Sequence, residues 1–116
     1  MNEELVKIQA EYPKIFEEAY DCVKEMRVKK YVFKPSGRVR WVVVGRTRDY
    51  LALPSVGYCS CEDFFFRVMS HEKPMCYHVV AVKLAQITEK YDVIEESDEW
   101  HWRLMREWLS DRFSEV

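Results

Sequence analysis

Tyr58-Cys59-Ser60-Cys61, and after fourteen intervening residues Cys76-Tyr77-His78-Val79-Val80-Ala81, carry the organisation of this chain. Three cysteines and one histidine in two short pairs follow the arithmetic of a metal site rather than that of a disulfide framework. In an extended segment side chains at i and i+2 share a face, so Cys59 and Cys61 can reach one ion together. On a regular helix the same spacing turns through about 200°. Cys76 is therefore expected just before a helix and His78 in its first turn, and Pro74 shortly upstream agrees with a start there. The helix N-terminus favours a thiolate at Cys76. Cys59, Cys61, Cys76 and His78 would close a tetrahedral Zn2+ site with no position left for water or substrate. Hydrolytic zinc chemistry is accordingly not expected. The competing readings are weaker. Unliganded core cysteines with a surface histidine would require two paired clusters by accident, and a redox Cys59–Cys61 pair would ignore the third and fourth ligands beside it. His71 can substitute for His78 only from a loop position isolated from a second ligand.

Upstream of the cysteines the pattern is that of strands. Val28 to Phe33 and Val39 to Val44 are rich in β-branched and aromatic residues. Lys34-Pro35-Ser36-Gly37 between them suits a type I turn. Gly45 to Asp49 forms a second turn leading to a third strand, Tyr50 to Leu53, before Pro54 and Gly57. The expectation is a three-stranded antiparallel meander.

Helices flank it. Ile15, Phe16, Ala19, Tyr20, Val23 and Met26 recur at helical spacing opposite Glu17, Glu18, Asp21 and Lys24, with Pro13 in the first turn. Glu3 to Glu11 reads as a separate, weaker helical piece. Glu62 to Ser70 reads as a short helix and Ser70 to Met75 as a polar loop. Tyr77 to Ile87 is apolar on most sides, as a helix buried in a small core would be. Tyr91 to Asp98 reads as an acidic connector. Ser97 or Asp98 can cap a last helix running to about Phe113. The whole is an α+β fold: a small antiparallel meander with a zinc-binding ββα unit and helices at both ends. Residues 1–116 are expected to form a single domain, with a helical region over 1–26, a zinc core over 28–88 and an amphipathic helix over 98–114.

Composition narrows the function classes. With 116 residues, 48% of them hydrophobic and 15% aromatic, the chain can build one modest core and does not have the composition of a disordered segment. No apolar run of about 18 residues is present to span a membrane. Met1-Asn2-Glu3-Glu4 lacks a signal-peptide pattern. An intracellular protein is expected, in the cytoplasm or nucleoid, or in the nucleus of a eukaryote. The net charge of −2 conceals a bipolar chain. Lys29, Lys30, Lys34, Arg38, Arg40, Arg46 and Arg48 lie in a stretch without an acid, while Glu89, Asp92, Glu95, Glu96, Asp98 and Glu99 stand against Lys90 alone.

The words Pro35-Ser36-Gly37-Arg38, Tyr58-Cys59-Ser60-Cys61, Phe64-Phe65-Phe66 and Cys76-x-His78-x-x-Ala81-Val82-x-Leu84 resemble those of the SWIM zinc fingers. More narrowly, residues 35–87 look like the small SWIM proteins of Shu-type homologous recombination complexes. The resemblance implies a non-catalytic protein that binds zinc through Cys59, Cys61, Cys76 and His78. It implies pairing with a recombinase paralogue of the RecA/Rad51 type and promotion of recombinase filaments on single-stranded DNA. It also implies that Ala81, one turn beyond His78, permits close packing beside the metal. No membrane and no small-molecule substrate are expected.

Most of the remaining features have more than one reading. The basic residues named above, with Tyr31, Phe33, Trp41 and Tyr50, can track a phosphate backbone and stack on bases, or they can form an ordinary solvated sheet face over core aromatics. Three phenylalanines in one turn cannot all point inward, so Phe66 either serves a partner or packs on a neighbouring element. On the last helix Trp102, Met105, Leu109 and Phe113 form one stripe and Trp100, Leu104 and Trp108 another. Either Trp100 and Trp108 meet a second chain, or the helix has a broad core face. His101 reads as a surface residue between the stripes. Cys22 reads as a small core residue. The acidic segment either repels DNA from one face, docks on a basic partner, or is simply solvated.

Overall fold

The computed structural model describes residues 3–45, 48–61 and 75–114, with side chains through 109. Helix α1 (Glu3–Glu11) leads into α2 (Pro13–Lys24), and Pro13 occupies the first helical turn, where no N–H is needed. Strands β1 (Val28–Lys34), β2 (Arg38–Val44), β3 (Asp49–Leu53) and β4 (Tyr58–Cys59) follow as an antiparallel meander. Helix α3 (Tyr77–Thr88) then returns the chain to β5 (Asp92–Ser97), which pairs parallel with β1. A 3-10 turn (Asp98–Trp100), capped by the Ser97 side chain, opens α4 (His101–Ser114). The sheet order is β4-β3-β2-β1-β5. The α+β class and the flanking helices are as expected.

Alternation along the strands sorts the residues into two cores. Val28, Trp41, Val43, Ala52 and Cys59 face the helical side, where they meet Ile15, Ala19, Cys22 and Val23 of α2 and most of α3. Because α3 lies between the sheet and α2, it is buried on several sides at once, through Val79, Val80, Ala81, Val82, Leu84 and Ala85. Cys22 is fully buried there, and burial pushes its thiol up to about 11. On the opposite face Phe33, Val42 and Leu51 form a second core with Trp108 of α4, flanked by Tyr31, Leu53, Leu104 and Met105.

Four expectations need correction. The sheet has five strands, not three. Tyr91 to Asp98 is not a connector: Val93 and Ile94 supply strand-forming residues, and the carboxylates on either side of them find cations on the adjacent strand. Lys29 pairs with Asp92 and Lys34 with Glu95. The β1–β2 turn is wider than a type I turn, because it closes from the Gly37 N–H to the Phe33 carbonyl, with a cis Lys34–Pro35 peptide and Gly37 at φ +79°. That tip docks onto the start of α4: the Ser36 N–H and hydroxyl both donate to the Asp98 carboxylate, at 2.8 and 2.6 Å. Finally, His101 is not a surface residue. It is 1% exposed, lies edge-on to Phe33 at 4.9 Å, and has its Nδ1 3.5 Å from the Arg38 guanidinium. Burial, with Arg40 and Arg38 nearby, lowers its pKa.

The expected helix over Glu62 to Ser70, with Phe64, Phe65 and Phe66, lies outside the described residues. So do His71, Pro74 and Arg46.

Candidate metal centre

Each ligand position has a local cause. Cys59 is the last residue of β4, held opposite Ala52 of β3. Two residues of pairing are little to hold a strand, and Ser60 reinforces it. Its hydroxyl accepts the Leu51 N–H and its own N–H donates to the Leu51 carbonyl, both at 2.9 Å. Ser60 thereby pins the bend that carries Cys61 inward; all three residues are buried. Cys76 is the N-cap of α3, in extended conformation, and His78 sits in the first turn. The helix rule applied to the Cys-x-His pair predicts this placement.

The four ligand atoms lie within 4.8 Å of one another. His78 Nδ1 is 3.6 Å from Cys59 Sγ and 3.9 Å from Cys76 Sγ. Zinc–sulfur bonds of about 2.3 Å and a zinc–nitrogen bond of about 2.0 Å at tetrahedral angles put sulfur and nitrogen roughly 3.6 Å apart. The donor set therefore fits a tetrahedral ion between the sheet edge and α3, with Nδ1 as the inward ring atom. The imidazole is clamped on its faces, by Tyr50 at 4.6 Å and Tyr77 at 4.1 Å. Its Nε2 is buried, with no hydrogen-bond partner among the described residues. Gly45 is part of this support, since a Cβ there would come within 2.6 Å of the Tyr50 ring and 2.7 Å of the Arg48 carbonyl.

Over 80 residues the chain is 36% identical to a protein of Dictyostelium discoideum named Zinc finger SWIM domain-containing protein 7 homolog, covering 67% of this chain and 51% of that one. It is 32% identical over 83 residues to the Homo sapiens Zinc finger SWIM domain-containing protein 7, covering 70% and 59% respectively. The chain belongs to the SWIM-type zinc-finger proteins. An uncharacterized protein of Archaeoglobus fulgidus is 33% identical over 81 residues, 68% of this chain and 60% of that one. This SWIM protein thus spans about half to three-fifths of the length of the curated relatives it matches. No family model matches it. No solved structure matches it either.

Crowding of the sulfurs sets the protonation of the SWIM site. Hydrogen bonds with Cys61 and Cys76, and then burial, push the Cys59 thiol far above its ordinary range. The Cys59 hydrogen bond pulls Cys76 down, but the Cys61 hydrogen bond and burial outweigh it, leaving Cys76 at about 12. Protons therefore stay on Cys59 and Cys76 at neutral pH until a cation displaces them. Zinc uptake is expected to release at least these two protons, so that apparent affinity falls by roughly a hundredfold or more per unit of falling pH. Calorimetric titration in buffers of different ionisation enthalpy measures this directly, and a pH-independent affinity would contradict it.

Other predicted residues do not gather here. Lys29 and Lys34 sit in ion pairs with β5. Lys30 lies over the Trp41 and Tyr91 rings, at 5.8 and 6.0 Å. Arg38 approaches His101, Arg40 donates to the Val39 carbonyl, and Arg48 covers the Tyr50 ring. Of the tryptophans proposed for a partner, Trp100 is 43% exposed but Trp108 only 4%. Trp108 packs edge-on to Tyr31 at 4.9 Å and belongs to the second core, so it is corrected from partner contact to core residue. Ser60 and Tyr50 were missed as supports; a small polar residue between two ligands was the available signal for the former.

Proposed function

We propose that this SWIM protein is a non-catalytic, zinc-held adaptor in homologous recombination and DNA repair, acting through an ATPase partner of the RecA/Rad51-paralogue type. The observation that carries the reading is the closed ligand set. Cys59, Cys61, Cys76 and His78 are all buried and all supplied by the chain, and an ion held by four protein groups has no position for a substrate. Zn2+ is the ion that a three-sulfur, one-nitrogen tetrahedron suits. The names of the relatives state a SWIM domain and no catalytic activity, and the words shared with small recombination-linked SWIM proteins supply the partner class. Capture with the zinc-loaded protein followed by mass spectrometry should return a recombinase-like ATPase. Its absence would overturn the adaptor role.

In this reading single-stranded DNA is reached through the partner. Ion pairs with β5 occupy Lys29 and Lys34, and Lys30 rests on aromatic rings, which weakens the alternative of an autonomous nucleic-acid-binding domain. A salt titration separates the two. Tight binding by the isolated protein that weakens steeply with salt, and suffers on Arg38→Ala or Arg40→Ala, would favour the alternative.

A further inference from the structure

The acidic segment, which no part of the metal centre uses, forms the last strand of the sheet. β5 pairs with β1 on one side, and among the described residues no strand pairs with its other side. Natural edge strands are blunted by shortness, proline, charged side chains or a bulge. Asp92-Val93-Ile94-Glu95-Glu96-Ser97 has six residues in continuous register without proline or a bulge, and is guarded only by the carboxylates of Asp92, Glu95 and Glu96. Its Val93 is 56% exposed, and just beyond its end Trp100 and Trp102 are 43% and 67% exposed. An apolar side chain on an open edge followed by two exposed indoles resembles the anchor composition of binding surfaces.

Charge selects the occupant. A second copy would set carboxylates opposite carboxylates across the new pairing, which is destabilising. Nucleic acid would meet the same repulsion. An extended segment with alternating basic side chains would complete the backbone hydrogen bonds and meet Glu96, together with the half-exposed or exposed carboxylates of Asp92 and Glu95 that Lys29 and Lys34 engage from the β1 side, with opposite charge. We propose that the outer edge of β5, with Trp100 and Trp102 beyond it, is a docking strip for a basic, extended segment of a protein partner, which adds to the sheet as a further strand. The proposal rests on the adaptor reading for its biological use and deepens it by stating the chemistry of the partner's contact.

The test uses the full zinc-loaded chain and a synthetic peptide of about ten residues alternating lysine and valine, long enough to span β5. Amide shifts should concentrate at residues 92–97 and at the Trp100 and Trp102 indoles. N-methylation of alternate peptide nitrogens should abolish them, because the pairing needs those N–H groups. A Val93→Lys, Glu95→Lys variant, whose changes are at exposed positions, should keep its metal content and bind the peptide at least roughly tenfold more weakly. No shifts, shifts elsewhere, or equal binding of the N-methylated peptide would overturn the proposal. So would self-association of the wild type that the variant loses, since that would place a second copy on the edge. A silent edge alongside a captured ATPase would sink this proposal alone; a responsive edge without a captured ATPase would sink the recombination role alone.

Discussion

Replacing Cys59 with alanine should leave a chain that no longer folds cooperatively. The ion would tie β4 and the following bend to the first turn of α3; among the described residues β4 itself offers two paired positions and the Ser60 hydrogen bonds to Leu51. Structural zinc is worth on the order of 10 kcal/mol at neutral pH, against a total stability of about 5–15 kcal/mol for a domain. Losing one ligand also leaves buried thiols gathered around nothing. Thermal melts by circular dichroism check this, with two controls. A strong chelator should reduce the wild type to the behaviour of the variant. His78→Cys, which keeps a four-ligand set of a type zinc accepts, should retain metal and much of the stability. A Cys59→Ala protein with an unchanged melting temperature would show that the site is not structural.

Phe33→Ala should cost about 3–5 kcal/mol, the range for deleting a buried aromatic ring. Phe33 is fully buried on the sheet face away from the metal. It meets His101 edge-on and stacks at 6.3 Å with Tyr31, which in turn touches Trp108. Its loss removes the seat of α4, while the cysteines and His78 lie on the other face with α3. Urea unfolding followed by tryptophan fluorescence should therefore report a large destabilisation, and folded variant should keep its zinc stoichiometry. Loss of less than about 1 kcal/mol would mean that α4 is seated by other contacts.

These two expectations reflect how differently the two halves of the molecule were written into the sequence. The metal face was legible because ligand chemistry constrains geometry tightly. A Cys-x-His pair can reach one ion only from a helix start, and Cys76 is the N-cap. Pro13 fixed a helix start in the same way. The α4 face was harder. His101, Leu104, Met105 and Trp108 follow the i, i+3, i+4, i+7 spacing of a core stripe, and these are the residues turned to the sheet. Reading histidine as polar split that stripe and sent Trp108 outward. β5 was obscured by its carboxylates, whose counterions come from β1, some sixty residues earlier in the chain. A local pattern cannot reveal that pairing. β4 is too short to produce a periodic signal at all.

Cobalt(II) substitution tests the central claim most directly, because its spectrum reports ligand type and geometry together. One equivalent per chain should give the intense visible bands of a tetrahedral ion with thiolate charge transfer, displaced by zinc and lost in Cys61→Ala. A pale octahedral spectrum, or no stoichiometric uptake by the folded protein, would contradict a site built from three sulfurs and Nδ1 of His78.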